Sequence, residues 1–240
     1  MATNTQVFFN SQPDGMPVAD NFEIVTQETP ELEDGQFLLE NVFLSLDPYM
    51  RMLMGGGWTY SGPGMTPGQL MVGRVLGRVI ETKNNDYAVG DHVVGRLGWQ
   101  THAISDGTDL DFRVEPKNGV PLSAYLGVCG STGVTGWAGV RVVGQPQSGE
   151  TVLVSAAAGS VGSAAGQVAR AMGCRAVGIA GGSDKCKLVT GEFGFDACCD
   201  YKADDLPGQI EKACPDGVDV YFDNVGGGVL DAALANMNRG

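Results

Sequence analysis

Residues 151–173 read TVLVSAAAGSVGSAAGQVARAMG, and the rest of the chain is organised around them. Val152, Leu153 and Val154 form a short apolar, β-branched run of the kind that is buried on both faces of a parallel sheet. The run stops at small residues spaced Ala157-x-Gly159-x-x-Gly162, with alanine where a dinucleotide fingerprint usually has its first glycine. Small residues suit a tight turn that lets a pyrophosphate approach the backbone, and Gly162 then lets helix and strand pack closely. Ala164, Ala165, Val168, Ala169 and Met172 recur at helical spacing. The turn therefore opens an amphipathic helix whose N-terminal amides face a phosphate. A strand before the glycines and a helix after them favour a dinucleotide site over a plain small-residue turn, with Ala157, Gly159, Val161 and Gly162 as its backbone.

Composition bounds the function classes. A chain of 240 residues, 43% hydrophobic and 18% charged, has enough apolar material for a sizeable core and for two domains. A formal charge of −13 and a sequence pI of about 4.4 disfavour nucleic acid or an anionic membrane surface as partner, because both would repel it. No stretch approaches the ~18 uninterrupted apolar residues of a membrane span. The start MATNTQ lacks the charged and apolar regions of a signal peptide, so the cytoplasm is the expected compartment. The six cysteines, at 129, 174, 186, 198, 199 and 214, form no C-x-x-C pair and read as buried free thiols. A catalytic zinc needs converging Cys, His or carboxylate ligands. The first 128 residues hold no cysteine, and the two histidines, His92 and His102, read as surface or packing residues. No metal is expected, and without one simple alcohol oxidation loses its usual electrophile.

Residues 1 to about 120 read as short strands and turns. Strands are expected at Val7–Phe9, from Phe22, at Gln36–Ser45, at Met71–Ile80 with Gly73 and Gly77 marking bulges or a corner, and at His92–Gly95. Several strands at this spacing argue for a small barrel. Between them lie LSLDPYMR at 44–51 and a glycine-rich aromatic loop, GGGWTYSGPG, at 55–64. Tyr60 and Tyr49 are the candidate catalytic residues, since a phenol in reach of a carbonyl oxygen can donate a proton or hydrogen bond; ordinary packing of a loop lid is the other reading.

Beyond the fingerprint, the strand Ala176–Ala180 ends in Gly181-Gly182-Ser183-Asp184-Lys185. An NAD enzyme commonly has a carboxylate here for the ribose hydroxyls. Two glycines instead leave room for a 2′-phosphate, with Ser183 and Lys185 to bind it, although Asp184 would serve NAD if it turned inward. A helix is expected from Lys187 to Phe193, a strand at Phe195–Tyr201, a helix at Leu206–Cys214, a strand at Val218–Asp223 and a last helix at Val229–Met237. Asn224 sits at the carboxyl end of the fourth strand, where open α/β sheets bind ligands. A six-stranded doubly wound sheet needs two strands more, so the chain is expected to be truncated, with strand four an unpaired edge.

LSLDPYMR at 44–51, GDHVVGRLGWQ at 90–100, SAAAGSVG at 155–162 and YFDNVGG at 221–227 resemble the zinc-independent medium-chain dehydrogenases/reductases. Within them the resemblance is to the prostaglandin reductase, leukotriene hydroxydehydrogenase and curcumin reductase group of alkenal double-bond reductases. The resemblance implies an α/β fold: a GroES-like β-barrel domain, residues 1–121, then a truncated Rossmann domain, residues 122–240. It implies NADPH as cofactor, with Lys185 and a supporting Tyr201 at the 2′-phosphate and Asn224 by the nicotinamide half. It also implies reduction of the carbon–carbon double bond of a small-molecule enone or enal, and homodimers among full-length relatives. The proton would come from Tyr60, Tyr49 or solvent. Quinone reduction uses the same cofactor geometry and stays open, as does a nucleotide-binding module without turnover.

Overall fold

The computed structural model describes residues 2–59 and 62–239, and the chain forms two compact units, Met1–Leu126 and Gly127–Gly240. Gly181, Ser183 and every other candidate of the second half fall within the described residues; Tyr60 lies outside them.

The first unit is built on antiparallel strands. A hairpin of β1 (Thr3–Phe9) and β2 (Phe22–Glu28) precedes β3 (Phe37–Leu44), then the short helix α1 (Pro48–Leu53), whose first position is taken by a proline that needs no amide partner there. The expected loop at 55–64 carries the two-residue strands β4 (Trp58–Thr59) and β5 (Gly62–Pro63). Strands β6 (Val75–Thr82), β7 (His92–Gly95), β8 (His102–Ser105) and β9 (Leu110–Val114) complete a sheet of order β8-β3-β6-β7-β9. Residues 71–74, expected within the strand Met71–Ile80, are not part of β6; there Gly73 is pressed against Trp99 and Leu44, leaving no space for a side chain. A bulge lies between Asn41 and Phe43, opposite Gly77. Such a bulge kinks the strand and increases the local twist of the sheet. Phe37, Leu39, Val75, Val79, Val93, Leu97 and Ala103 fill the interior. Leu122 and Leu126 cover the opposite face of the sheet over Leu76, Val94 and Val114.

The second unit begins with α2 (Ser131–Ala138), continuing into wider π-type turns at Gly139–Gly144. It then alternates β10 (Thr151–Ser155), α3 (Ser160–Ala171), β11 (Arg175–Ala180), α4 (Ser183–Gly191), β12 (Ala197–Asp200), α5 (Leu206–Ala213), β13 (Val220–Phe222) and α6 (Gly227–Leu234). All four strands are parallel, in the order β12-β11-β10-β13, the doubly wound arrangement of a Rossmann half. All five residues of β10 are buried, because helices cover both faces of the central strand. Full burial of Val152, Leu153 and Val154 contributes roughly 1.5–3 kcal/mol each. Helix α4 starts four residues before the expected Lys187, since Gly182, at φ 99°, turns the chain directly into it. Strand β13 ends the sheet and pairs only with β10 among the described residues; just before it the amide of Val218 donates to Asn236 O and that of Asn238 to Val218 O, a parallel bridge outside the strand.

The cysteines correct the expectation of six buried thiols. Cys129 is exposed and Cys186 and Cys198 are half-buried; only Cys174, Cys199 and Cys214 are buried. Burial pushes the Cys199 thiol up to about 12 and Cys214 up to about 11, which keeps both protonated and inert. Among the described residues no helix is long and apolar enough to cross a membrane.

Candidate cofactor site

The carboxyl ends of the four parallel strands share one edge of the sheet, and the loops leaving them bring the candidates of the second unit together. After β10 the chain turns through Ala156 at φ 48°, a left-handed conformation that costs a residue with a Cβ about 1 kcal/mol or more. Ala157 then buries its methyl completely, and its amide donates to Ile179 O of β11. Gly159 caps α3, and no side chain caps the helix or adds an acid to its first turn. The first amides of the helix, including that of Val161, are thus left to a ligand. A Cβ at Gly162 would run into the carbonyl of Ala156, so the turn tolerates only glycine there. These features fit the pyrophosphate of a dinucleotide: an uncapped helix start, no carboxylate, and a backbone kept bare by Gly159 and Gly162.

The loop after β11 supplies the second part. Gly181 lies under the ring of Tyr201; a Cβ there would come within 2.7 Å of the phenol carbon and oxygen. Ser183 opens α4 and is exposed, as is Lys185 two residues further on. Lys185 has no ion-pair partner among the described residues. Asp184, the competing candidate, points outward: it is 96% exposed and pairs with Lys187 at 3.4 Å. The ends of β11 and β12 therefore carry Gly181, Ser183, Lys185 and Tyr201 on two neighbouring loops, where Asp184 faces outward and the Asp200 carboxylate is taken up by the amide of Gly182.

Asn224 is held by Ser155, a residue sequence reading passed over. Its amide donates to Ser155 Oγ at 2.7 Å and its Nδ2 to Ser155 O at 2.9 Å. Ser155 is wholly buried and its hydroxyl donates to Asp223 Oδ1 at 3.2 Å. That carboxylate oxygen also accepts from Tyr221 OH at 2.8 Å, Gly226 N at 3.0 Å and Val225 N at 3.1 Å. Burial opposes the charge on Asp223, but the two amides and two hydroxyls outweigh it and hold the carboxyl below its ordinary range. Burial, joined by the Asp223 carboxylate, pushes the Tyr221 phenol up to about 12. The only sequence sign of this network was an aspartate before Asn-Val-Gly-Gly, the type that folds its own following backbone into a turn.

In the first unit, Tyr49 sits in α1, half-buried against the cluster of Phe9, Leu53, Met54, Met65 and Met71. Its hydroxyl has no hydrogen-bond partner among the described residues. Burial first, then the carboxylate of Asp47, raises its phenol above the ordinary value. His92 and His102 lie on β7 and β8, with β3 and β6 between them, so they do not converge on one ion. Among the described residues no group of three or more His, Cys, Asp or Glu side chains is arranged to hold a metal.

Comparison with known proteins agrees with this architecture. Residues 5–112 match the family model described as the N-terminal domain of oxidoreductase, and residues 160–240 match the one described as zinc-binding dehydrogenase. The NADPH-dependent curcumin reductase of Escherichia coli is 46% identical over 229 residues, covering 95% of this chain and 65% of the relative. The NADP(+)-dependent 2-alkenal reductase of Nicotiana tabacum is 39% identical over 243 residues, covering 98% of this chain and 69% of the relative. The crystal structure of CurA from Vibrio vulnificus in complex with NADPH superposes with a TM-score of 0.89 at 40% identity, covering 98% of this chain and 68% of that one. The chain spans about two thirds of the length of the relatives it matches. Similar along nearly all its residues to these reductases, the chain belongs to the zinc-independent medium-chain dehydrogenase/reductase family, in the group of the curcumin and alkenal reductases.

Proposed function

We propose that the chain binds NADPH along the carboxyl edge of its parallel sheet and serves the reduction of the carbon–carbon double bond of α,β-unsaturated ketones and aldehydes. The observation that carries the reading is the pairing of an uncapped α3 with a loop after β11 that leads to a Lys185 unpaired among the described residues and turns its own carboxylate, Asp184, outward. The amides of Ser160, Val161 and Gly162 hold the pyrophosphate; Ser183, Lys185 and Tyr201 hold the 2′-phosphate by hydrogen bonds and charge. Asn224 spends its Nδ2 on Ser155 and keeps its side-chain oxygen for the ribose or the nicotinamide. The bound cofactor supplies hydride to the β-carbon, and a proton completes the reaction at the α-carbon or the enolate oxygen. Tyr49, Tyr60 and solvent are the proton donors of the proposal; burial raises the Tyr49 phenol and makes it a weaker acid than a free tyrosine. Relatives named as NADPH-dependent curcumin reductase and 2-alkenal reductase support the substrate class. A cytoplasmic location belongs to the same proposal, and the family extends it to homodimers of full-length relatives.

The test is NADPH oxidation by the purified protein against a panel of enones, enals and quinones, followed by loss of NADPH absorbance, beside NADPH binding by fluorescence. Turnover of enones and enals faster than quinones is expected. Binding without turnover would leave a nucleotide-binding module and remove the hydride-transfer reading from this chain.

A further inference from the structure

Strands β11 and β12 run parallel with Ala180 opposite Asp200, so they end side by side and release two separate turns, Gly181–Ser183 and Tyr201–Ala203. Beside the bond from Tyr201 N to Ala180 O at 3.1 Å, one carboxylate oxygen bridges them. Asp200 Oδ1 accepts the amide of Gly182 at 2.7 Å and the amide of Lys202 at 2.9 Å. The backbone of Asp200 is itself fixed by Gln209, whose Oε1 accepts from Asp200 N at 2.9 Å and whose Nε2 donates to Asp200 O at 3.2 Å and Asp204 O at 3.0 Å. On one side of this staple Gly182 sits at φ 99° and starts α4, which carries Ser183 and Lys185. On the other side Tyr201 lies over Gly181.

We propose that Asp200 is a positioning residue for cofactor selectivity, its Oδ1 tying the two turns so that Ser183, Lys185 and Tyr201 present one site to a 2′-phosphate. The inference rests on the 2′-phosphate reading of Lys185. A carboxylate near a phosphate ordinarily repels it, and a free one at this edge would favour ribose hydroxyls instead. Asp200 does neither, because its acceptor oxygen is turned onto two backbone amides. Those same amides are what hold its carboxyl below the ordinary range. Geometry is therefore the contribution of Asp200, and any residue with an oxygen acceptor at that point can supply it.

Dissociation constants of NADPH and NADH, read by fluorescence titration of the full chain, test this with Lys185→Ala, Asp200→Ala, Asp200→Asn and Asp200→Glu. Asp200→Ala is expected to weaken NADPH about tenfold and NADH less than about twofold, the size of losing one charge-assisted contact. Asp200→Asn keeps the acceptor without the charge and stays within about twofold of the parent for both cofactors. Asp200→Glu keeps the charge but moves the oxygen, and follows Asp200→Ala. Equal losses for the two cofactors, or no loss, in Asp200→Ala would overturn the proposal. So would tighter NADPH binding in both Asp200→Ala and Asp200→Asn, which would make the residue a simple repeller. Should Asp200→Ala not fold, the Asn and Glu variants decide alone: selectivity kept in Asn and lost in Glu supports the staple, any other pattern overturns it. Lys185→Ala separates the two readings. If it loses NADPH selectively while the Asp200 variants do not, only the staple fails; a parent chain that does not prefer NADPH to NADH sinks both.

Discussion

Ala157 stands where a dinucleotide turn ordinarily has glycine, and the neighbouring strand explains how a methyl fits there. Its side chain fills the space over Gly178 of β11, where a Cβ would lie 2.8 Å from the Ala157 methyl. The glycine has in effect moved to the next strand. At the same edge the charge of Lys185 is expected to set the choice of cofactor. Lys185→Ala should raise the NADPH KM roughly tenfold while leaving the NADH KM within about twofold, as befits one charge-assisted contact. Equal changes in steady-state assays with the two cofactors would remove Lys185 from the phosphate site. Asp223 gives a different reading, in pH. Its carboxyl is held below the ordinary 3.8, so its contribution to stability is complete above that value and is lost as pH falls through the lower, folded value. In urea melts at pH 7, 5 and 3, Asp223→Asn should lose less stability on going to acid than the parent does. Asp106 and Asp200, shifted in the same direction, leave a residual slope in both.

Helix α3 is the element that the sequence described best and also the one whose closest contact it hid. The apolar spacing from Ala164 to Met172 and the bare turn at Gly159 and Gly162 announced the helix, its buried face and its ligand end. Gly166 carries no such mark, because only the folded chain brings Phe195 against it; a Cβ on Gly166 would fall inside that ring. Gly166→Ala is therefore expected to destabilise the second unit by about 1–3 kcal/mol despite alanine's better helix propensity. Gly191→Ala, at the end of α4 with open space around it, should be neutral or stabilise by up to about 1 kcal/mol. Thermal or urea melts of the pair check both, and equal effects would mean that α3 does not sit this close to Phe195. The same contrast explains what was legible elsewhere. Runs such as Val152–Val154 and Ala176–Ala180 are apolar throughout because helices cover both faces, so they read as strands at once. HAIS at β8 and LDFRV at β9 are short, mixed strands that acquire their identity by pairing with β3 and β7, a partner choice no local pattern encodes. Ser155 and Asp200 were missed for a related reason: each takes a backbone amide brought up from another loop, that of Asn224 and that of Gly182, whereas Asp223 closes its own following turn.

At the scale of the molecule, a chain of formal charge −13 is proposed to take an anionic dinucleotide, and the two facts are reconciled by distance. The contacts at the site, from the α3 amides, Ser183 and Lys185, act over a few ångströms. Repulsion by the rest of the chain acts over tens. The Debye length is about 30 Å at 0.01 M salt and about 8 Å at 0.15 M, so salt removes the long-range repulsion well before it weakens contacts in the turn. Association of NADPH should accordingly speed up as salt rises over this range, by a factor on the order of three, the reverse of an enzyme that steers its ligand by attraction. Stopped-flow fluorescence at the two salt concentrations measures it directly. A rate that falls with salt would mean that the local field of Lys185, Lys187 and Lys202 outweighs the net charge already at long range. In that case Lys187→Ala and Lys202→Ala, which leave Lys185 in place, should each slow association at low salt.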